Sequence, residues 1–196
     1  MPKDIFFKNL ENITKPLLFI GSDDEETDKL LIPEIINRLN KKNCIIANIT
    51  ERNYKQIIPH VIKHEHYAVL KSPIDINLAK ELNILAIEMG LPHDKIIMNT
   101  DIGGLGYGYE YGFSIMEKIK LEKDDKFLNF PIFTDASTEA LKTKEAKSND
   151  FTNSWGSLDK RAKMIELCAC TGVISAGANI VVVHYPENIK YLKGIA

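Results

Sequence analysis

Hydrophobic residues in this chain fall in short unbroken runs rather than in alternation. Leu17 to Ile20, Cys44 to Ile49, Tyr67 to Leu70, Ile96 to Met98, Pro131 to Phe133 and Ile180 to Val183 are each bounded by turn or polar residues. Continuous apolarity means that both faces of a strand are covered, the mark of a buried parallel strand. Amphipathic stretches lie between the runs. Lys29 to Leu39 sets Leu30, Ile35, Ile36 and Leu39 near one helical face, and Thr50 to Lys63 does the same with Tyr54, Ile57, Ile58, Val61 and Ile62. Pro33 and Pro59 blur the boundaries of these two helices. Leu78 to Met89 follows a capping region at Asp75 and Asn77 and ends at Gly90. Tyr109 to Glu122 and Lys160 to Ala176 supply two more helices, the last ending at Gly177.

Strand and helix therefore alternate, with about 25 to 35 residues between most strands, which predicts an α/β fold built from parallel βαβ units. An open doubly wound sheet and a (β/α)8 barrel share that rhythm, and a barrel typically needs about 250 residues. The chain supplies about six βα units. No linker rich in Gly, Pro or Ser divides it, so residues 1–196 read as a single domain. Lys142 to Ser154, polar and charged, reads as a solvated loop or frayed helix.

Composition narrows the function classes. With 196 residues, 44% hydrophobic and 27% charged, the chain can bury a proper core. A formal charge of -2 gives no general attraction to nucleic acid or to an anionic membrane, which leaves a small molecule or another protein as partner. No window reaches the roughly 18 apolar residues a membrane span needs, and the N-terminus lacks a basic region followed by an apolar one; a cytoplasmic protein is expected. Cys168 and Cys170 are too tightly spaced for an ordinary disulfide and Cys44 is a third cysteine, which suits a reducing compartment.

Five glycines and three tyrosines crowd between Gly103 and Gly112, directly after the fourth apolar run. A dinucleotide loop wants G-x-G-x-x-G and an acidic residue closing the next strand, and a P-loop wants Gly-Lys-Ser/Thr. Gly106, Gly108 and Gly112 give only G-x-G-x-x-x-G. The open alternatives are a βα loop whose glycines accommodate positive φ and tight packing, and a loop that brings bare backbone and tyrosines against a large ligand or partner. His60, His64 and His66 form H-x-x-x-H-x-H, a weak metal signal without a fitting carboxylate or cysteine set; an exposed helix end is the plainer reading. Cys168 and Cys170 read as small core residues of their helix. No cysteine motif for an iron-sulfur cluster is present. Ser72-Pro73-Ile74-Asp75-Ile76-Asn77 and His184-Tyr185-Pro186-Glu187 follow predicted strands, where a cap and a ligand contact are both open readings.

Four stretches carry a specific resemblance: SPIDINLAKELNILAIEMGLPHDKIIM, GGLGYGYEYGFSIMEKIKL, FPIFTDASTEALKTKEA and SAGANIVVVHYPENIKYLK. In this order, from about Lys15 to Lys193, the chain resembles the delta (small) subunit of the corrinoid/iron-sulfur protein of anaerobes. That protein belongs to the acetyl-CoA decarbonylase/synthase, or CO dehydrogenase/acetyl-CoA synthase, system. The resemblance implies a TIM barrel related to pterin-binding methyltransferases. It also implies a heterodimer with a large subunit that holds a cobamide and a [4Fe-4S] cluster. The corrinoid then lies between the subunits, and the small one is a non-catalytic cap with no cluster of its own. Transient partners are a tetrahydropterin methyltransferase, which gives a methyl group, and acetyl-CoA synthase, which receives it in the reductive acetyl-CoA (Wood-Ljungdahl) pathway. On this resemblance Ser72, Asp75, Asn77, Asn99, Asp101, Gly104, Gly106, Tyr107, Gly108, Thr134 and His184 are the candidate corrinoid-facing residues.

Two departures accompany the match. Family members typically carry Asp-Pro-Thr-Thr where this chain reads Asn99-Thr100-Asp101-Ile102. They also have a longer N-terminal region that supplies the first barrel strands, so an incomplete barrel open at two sheet edges is expected here: a fragment, a shortened paralogue, or a chain completed by its partner or by self-association. No D-x-H-x-x-G cobalamin motif is present, and no nucleophile sits beside an obvious base, consistent with binding rather than catalysis. The rival reading is a methyltetrahydropterin:corrinoid methyltransferase, with Asn48, Asp75, Asn99 and Asp101 offering hydrogen bonds to a pterin. A degenerate paralogue with neither role is the third.

Overall fold

A computed structural model describes residues 7–10, 13–22, 24–106 and 108–195. Contacts gather the chain into two compact units, one of Met1–Ser72 with Asn77–Met98 and one of Pro73–Ile76 with Asn99–Ala196.

A four-stranded sheet is the centre of the first unit. Its strands are β1 (Leu18–Ile20), β2 (Ile45–Ile49), β3 (Tyr67–Lys71) and β4 (Ile96–Asn99), in the spatial order β1-β2-β3-β4. The β1–β2 and β2–β3 pairs are parallel, and the chain crosses between strands through α1 (Glu25–Arg38), α2 (Tyr54–Lys63) and α3 (Ile76–Glu88). The apolar runs of three strands are buried as their continuity predicts: Ile46, Ala47 and Ile49 on β2, Ala68, Val69 and Leu70 on β3, Ile96, Ile97 and Met98 on β4. Leu17 to Ile20 departs from the expectation, since Ile20 on β1 is exposed, and Ile180 to Val183 is only half-buried. Ile57, Ile58 and Val61 of α2 are buried with them, and each aliphatic side chain taken fully out of water contributes about 1.5–3 kcal/mol. Asn48 adopts φ 66° where the β2–β3 register shifts between Ile46 and Ile49. A bulge explains both, and asparagine tolerates the left-handed conformation better than the flanking isoleucines.

In the second unit β5 (Phe133–Thr134) pairs in parallel with β6 (Ile180–Val181). Its helices are α4 (Tyr109–Leu121), α5 (Ala136–Lys142), α6 (Lys144–Lys147), α7 (Leu158–Ser175) and α8 (Ile189–Leu192). Asn179 ties the sheet to α4: its Oδ1 accepts from Ile132 N–H at 2.9 Å and from Lys120 Nζ at 3.1 Å. Among the described residues no helix is long and apolar enough to cross a membrane.

Several expectations need correction. Helix α1 begins at Glu25 rather than Lys29, because Asp24 caps it through Glu26 N–H and Glu25, Glu26 and Asp28 place negative charge at its positive end. Pro33 sits inside this helix. Leu30 is 78% exposed, and the buried stripe of α1 runs through Asp28, Ile32 and Ile36 instead. Cys168 is also exposed, and only Cys170 of that pair is a core residue.

Residues 142–154 are more ordered than a solvated loop. Arg161 of α7, buried, donates from Nε to Glu145 O (3.0 Å), from Nη1 to Gly156 O (2.5 Å) and from Nη2 to Ser148 O (2.6 Å). Its guanidinium also lies 4.9 Å from the centre of the Phe151 ring.

Candidate functional site

The glycine-rich segment is shaped by backbone conformation. At the end of β4, Asn99 Oδ1 accepts from Asp101 N–H at 2.9 Å, and Asp101 Oδ1 accepts from Ile102 N–H at 2.8 Å. Asp101 takes φ 58°, Gly103 62°, Gly106 77° and Gly108 116°. Gly104 and Gly108 form an isolated bridge, and Gly108 is the N-cap of α4. Gly112 meets a different demand. A Cβ there would stand 2.5 Å from Ile102 Cα and 2.8 Å from Asp101 O, so only glycine lets α4 lie against the Asp101–Ile102 backbone. Gly106 is exposed, with nothing within 4 Å of where its Cβ would be. Tyr107 lies outside the described residues.

The Ser-Pro-Ile-Asp turn meets this loop. Ile74 N–H donates to Thr100 O at 2.8 Å, and a Cβ on Gly103 would come within 3.2 Å of Ile74 Cδ1. Ile74 pays with φ 46°, a conformation rare for a β-branched residue. Asp75 is exposed directly before α3, which starts at Ile76, so Asn77 is a helical residue rather than part of a cap. Ser72 and Asn77 belong to the first unit; Ser72 Oγ is buried with no hydrogen-bond partner.

Helix α4 is anchored to α7 by Tyr109, whose hydroxyl donates to Ala169 O at 2.7 Å. Gly172 makes room for it, since a Cβ there would fall 2.2 Å from Tyr109 Oη. Burial, with Cys170 adding to it, pushes the phenol up to about 12. Burial also raises the Cys170 thiol to about 12, helped by Glu166 and Asp135.

The ends of β5 and β6 carry the other cluster. Thr134, the last residue of β5, is buried and its Oγ1 has no partner. Asp135 caps α5 through Thr138 N–H at 3.1 Å, and Thr138 Oγ1–H donates to Asp135 Oδ2 at 2.8 Å. His184 Nε2 lies 3.2 Å from the same Thr138 Oγ1. Because the single hydroxyl proton is directed to the carboxylate, Nε2 carries the imidazole proton and donates it, which leaves the lone pair on Nδ1. The exposed His184 therefore offers an acceptor nitrogen at the end of the sheet.

Beneath it sits a fully buried carboxylate from α7, Glu166. Its Oε1 accepts from Ser137 Oγ–H and from His184 N–H at 2.7 Å, and its Oε2 from Tyr185 N–H at 3.2 Å and Asn188 Nδ2 at 2.7 Å. One side chain thereby sets the path of the turn that presents His184. Sequence reasoning missed Glu166, Asp135 and Thr138. A signal for Glu166 exists: it falls in the stripe Ala162, Glu166, Ala169, Cys170, Val173, at otherwise small or apolar core positions of α7.

The second unit thus brings Asn99, Asp101, Gly104 and Gly108 together with the Ile74 turn, and separately joins His184 to the β5 end. Among the described residues no group of three or more His, Cys, Asp or Glu side chains is placed to hold a metal ion.

Known proteins resemble this chain in sequence along nearly its whole length. The subunit delta of the acetyl-CoA decarbonylase/synthase complex from Methanocaldococcus jannaschii is 27% identical over 189 residues, covering 95% of this chain and 46% of that protein. The proteins of the same name from Archaeoglobus fulgidus and Methanopyrus kandleri are 27% and 28% identical over 194 and 184 residues, covering 95% and 92% of this chain and 43% and 45% of their own. The chain spans less than half the length of each of these relatives. The family model for the CO dehydrogenase/acetyl-CoA synthase delta subunit matches residues 4–186, which include the glycine loop and His184, and the chain belongs to that family.

Proposed function

We propose that this chain is a non-catalytic binding subunit of an acetyl-CoA decarbonylase/synthase complex, which pairs with a large corrinoid/iron-sulfur subunit and covers one face of its corrinoid. The observation that carries the reading is the meeting of the two family-signature segments, Ile74 on Thr100 and Gly103, at the carboxyl end of β4. Carboxyl ends of parallel strands are where α/β folds take ligands. The sequential strand order β1-β2-β3-β4, with no reversal, supports a TIM-barrel type fold for the chain.

The residues present suit a corrinoid, a broad flat ring fringed with amide groups. Gly106 offers open backbone where a side chain would stand off the ring, Asp75 is exposed to accept amide protons, and His184 Nδ1 accepts another. Asn99 and Asp101 would shape the loop from below. When bound, the corrinoid supplies the cobalt that carries a methyl group. This chain's residues bind the ring's rim and exclude water, and Glu166 holds the His184 turn in place.

The competing methyltransferase reading is separated by one assay. Methyltetrahydrofolate or methyltetrahydromethanopterin is mixed anaerobically with free cob(I)alamin and this chain alone. No methyl transfer above the uncatalysed rate is expected; transfer that depends on Asp75, Asn99 or Asp101 would make the chain an enzyme.

A further inference from the structure

His60 lies in the last turn of α2 and His64 caps its C-terminal end, and the structure aims them at one point. His60 Nδ1 and His64 Nε2 each lie 3.1 Å from a single atom, Asn37 Oδ1 of α1. Both residues are partly exposed. The His64 ring is stacked with that of the buried His66, at 6.2 Å between centroids and 15° between planes. His66 Nδ1 accepts from Cys44 N–H at 3.3 Å, and its Nε2 is buried without a partner.

From this convergence we propose that His60 and His64, with the Asn37 amide oxygen as third donor, form a surface site for a divalent transition-metal ion. Two imidazoles at i and i+4 on a helix chelate such ions because one helical turn brings their rings alongside. Donors about 2.1 Å from one zinc ion stand about 3.0 Å from each other at right angles, so the 3.1 Å between Asn37 Oδ1 and each ring nitrogen suits an ion bound among the three. Each ring then carries its proton on the other nitrogen. The nearby Lys63 charge opposes any cation, so the site selects ions whose bond to imidazole is strong: Cu(II), Ni(II) and Zn(II), and not Mg(II) or Mn(II). Water fills the remaining positions.

The test is a calorimetric titration of Ni(II) or Zn(II) into the full chain carrying Cys168→Ser, which removes the exposed thiol as a rival ligand. One ion per chain is expected, with a Kd on the order of micromolar, and no saturable heat with Mg(II). His60→Ala and His64→Ala should each abolish saturation while leaving the thermal melt intact. In the unsubstituted chain, Cu(II) should broaden the His60 and His64 ring resonances before those of His93 and His184. Absence of saturable binding overturns the proposal, as does binding that survives either alanine substitution.

Discussion

Two turns in the second unit present candidate ligand-facing groups by different means. Residues 99–112 are held by the backbone, through left-handed Asp101, Gly103, Gly106 and Gly108 and through the missing side chain of Gly112. Residues 182–188 are held by a side chain, the Glu166 carboxylate, which reaches the turn from a helix earlier in the chain. The first shape is written locally, in residues that lie where they act. The second depends on a contact that exists only after folding.

Removing the carboxylate should have the largest effect. Glu166→Ala leaves the Ser137 hydroxyl, the His184 and Tyr185 N–H groups and the Asn188 amide without their shared acceptor, and about 3–5 kcal/mol of stability should be lost in urea unfolding. Glu166→Gln keeps one acceptor oxygen and should recover part of that. A loss under about 1 kcal/mol for the alanine variant would show that the turn is held some other way.

The glycine loop should break next, at Gly112. Gly112→Ala drives a Cβ into the backbone of Ile102 and Asp101 and should cost about 2–3 kcal/mol. A neutral result would place α4 differently from the position described above.

The contact between α4 and α7 gives a pH signature. Tyr109 rises from 10.0 to about 12 and Cys170 from 9.0 to about 12 on folding. Both groups hold their protons more tightly when folded, so their contribution is intact below pH 9 and declines as pH climbs toward 12. Tyr109→Phe should cost about 1 kcal/mol at neutral pH through the lost bond to Ala169 O. It should also make the alkaline decline shallower, as read by denaturation at several pH values. An unchanged slope would mean that Tyr109 titrates normally.

Gly106→Ala is the smallest perturbation. Its φ of 77° is strained for alanine, yet nothing crowds the added methyl, so less than about 1 kcal/mol is expected. The contrast with Gly112→Ala, measured in the same buffer, separates the conformational use of glycine from the steric one.

Much of this fold was legible from the order of residues. Runs such as Ile45–Ile49 and Ile96–Met98 are buried strands because unbroken apolarity requires cover on both faces, and Gly90 and Gly177 close helices at φ 96° and 105° as their positions imply. The start of α1 is not legible in the apolar pattern, because its N-cap Asp24 and first turn Glu25, Glu26 and Asp28 form one acidic run. Helix α5 and the order of residues 142–154 were not legible, since the first is short and the second hangs on Arg161, whose charge on a helix reads as solvated. At the site, Asn99, Asp101 and the glycines announce themselves by composition. The Asp135–Thr138–His184 chain and Glu166 do not, because they join residues far apart in sequence.

The central claim, that the chain is a corrinoid-covering subunit, is tested most directly by anaerobic co-expression with the large corrinoid/iron-sulfur subunit from the same genome. Size exclusion is then run with corrinoid absorbance recorded across the peak. The account predicts that both chains elute together with corrinoid, and that His184→Ala weakens retention of the corrinoid without unfolding this chain. A folded chain that elutes alone, away from the corrinoid peak, would contradict it.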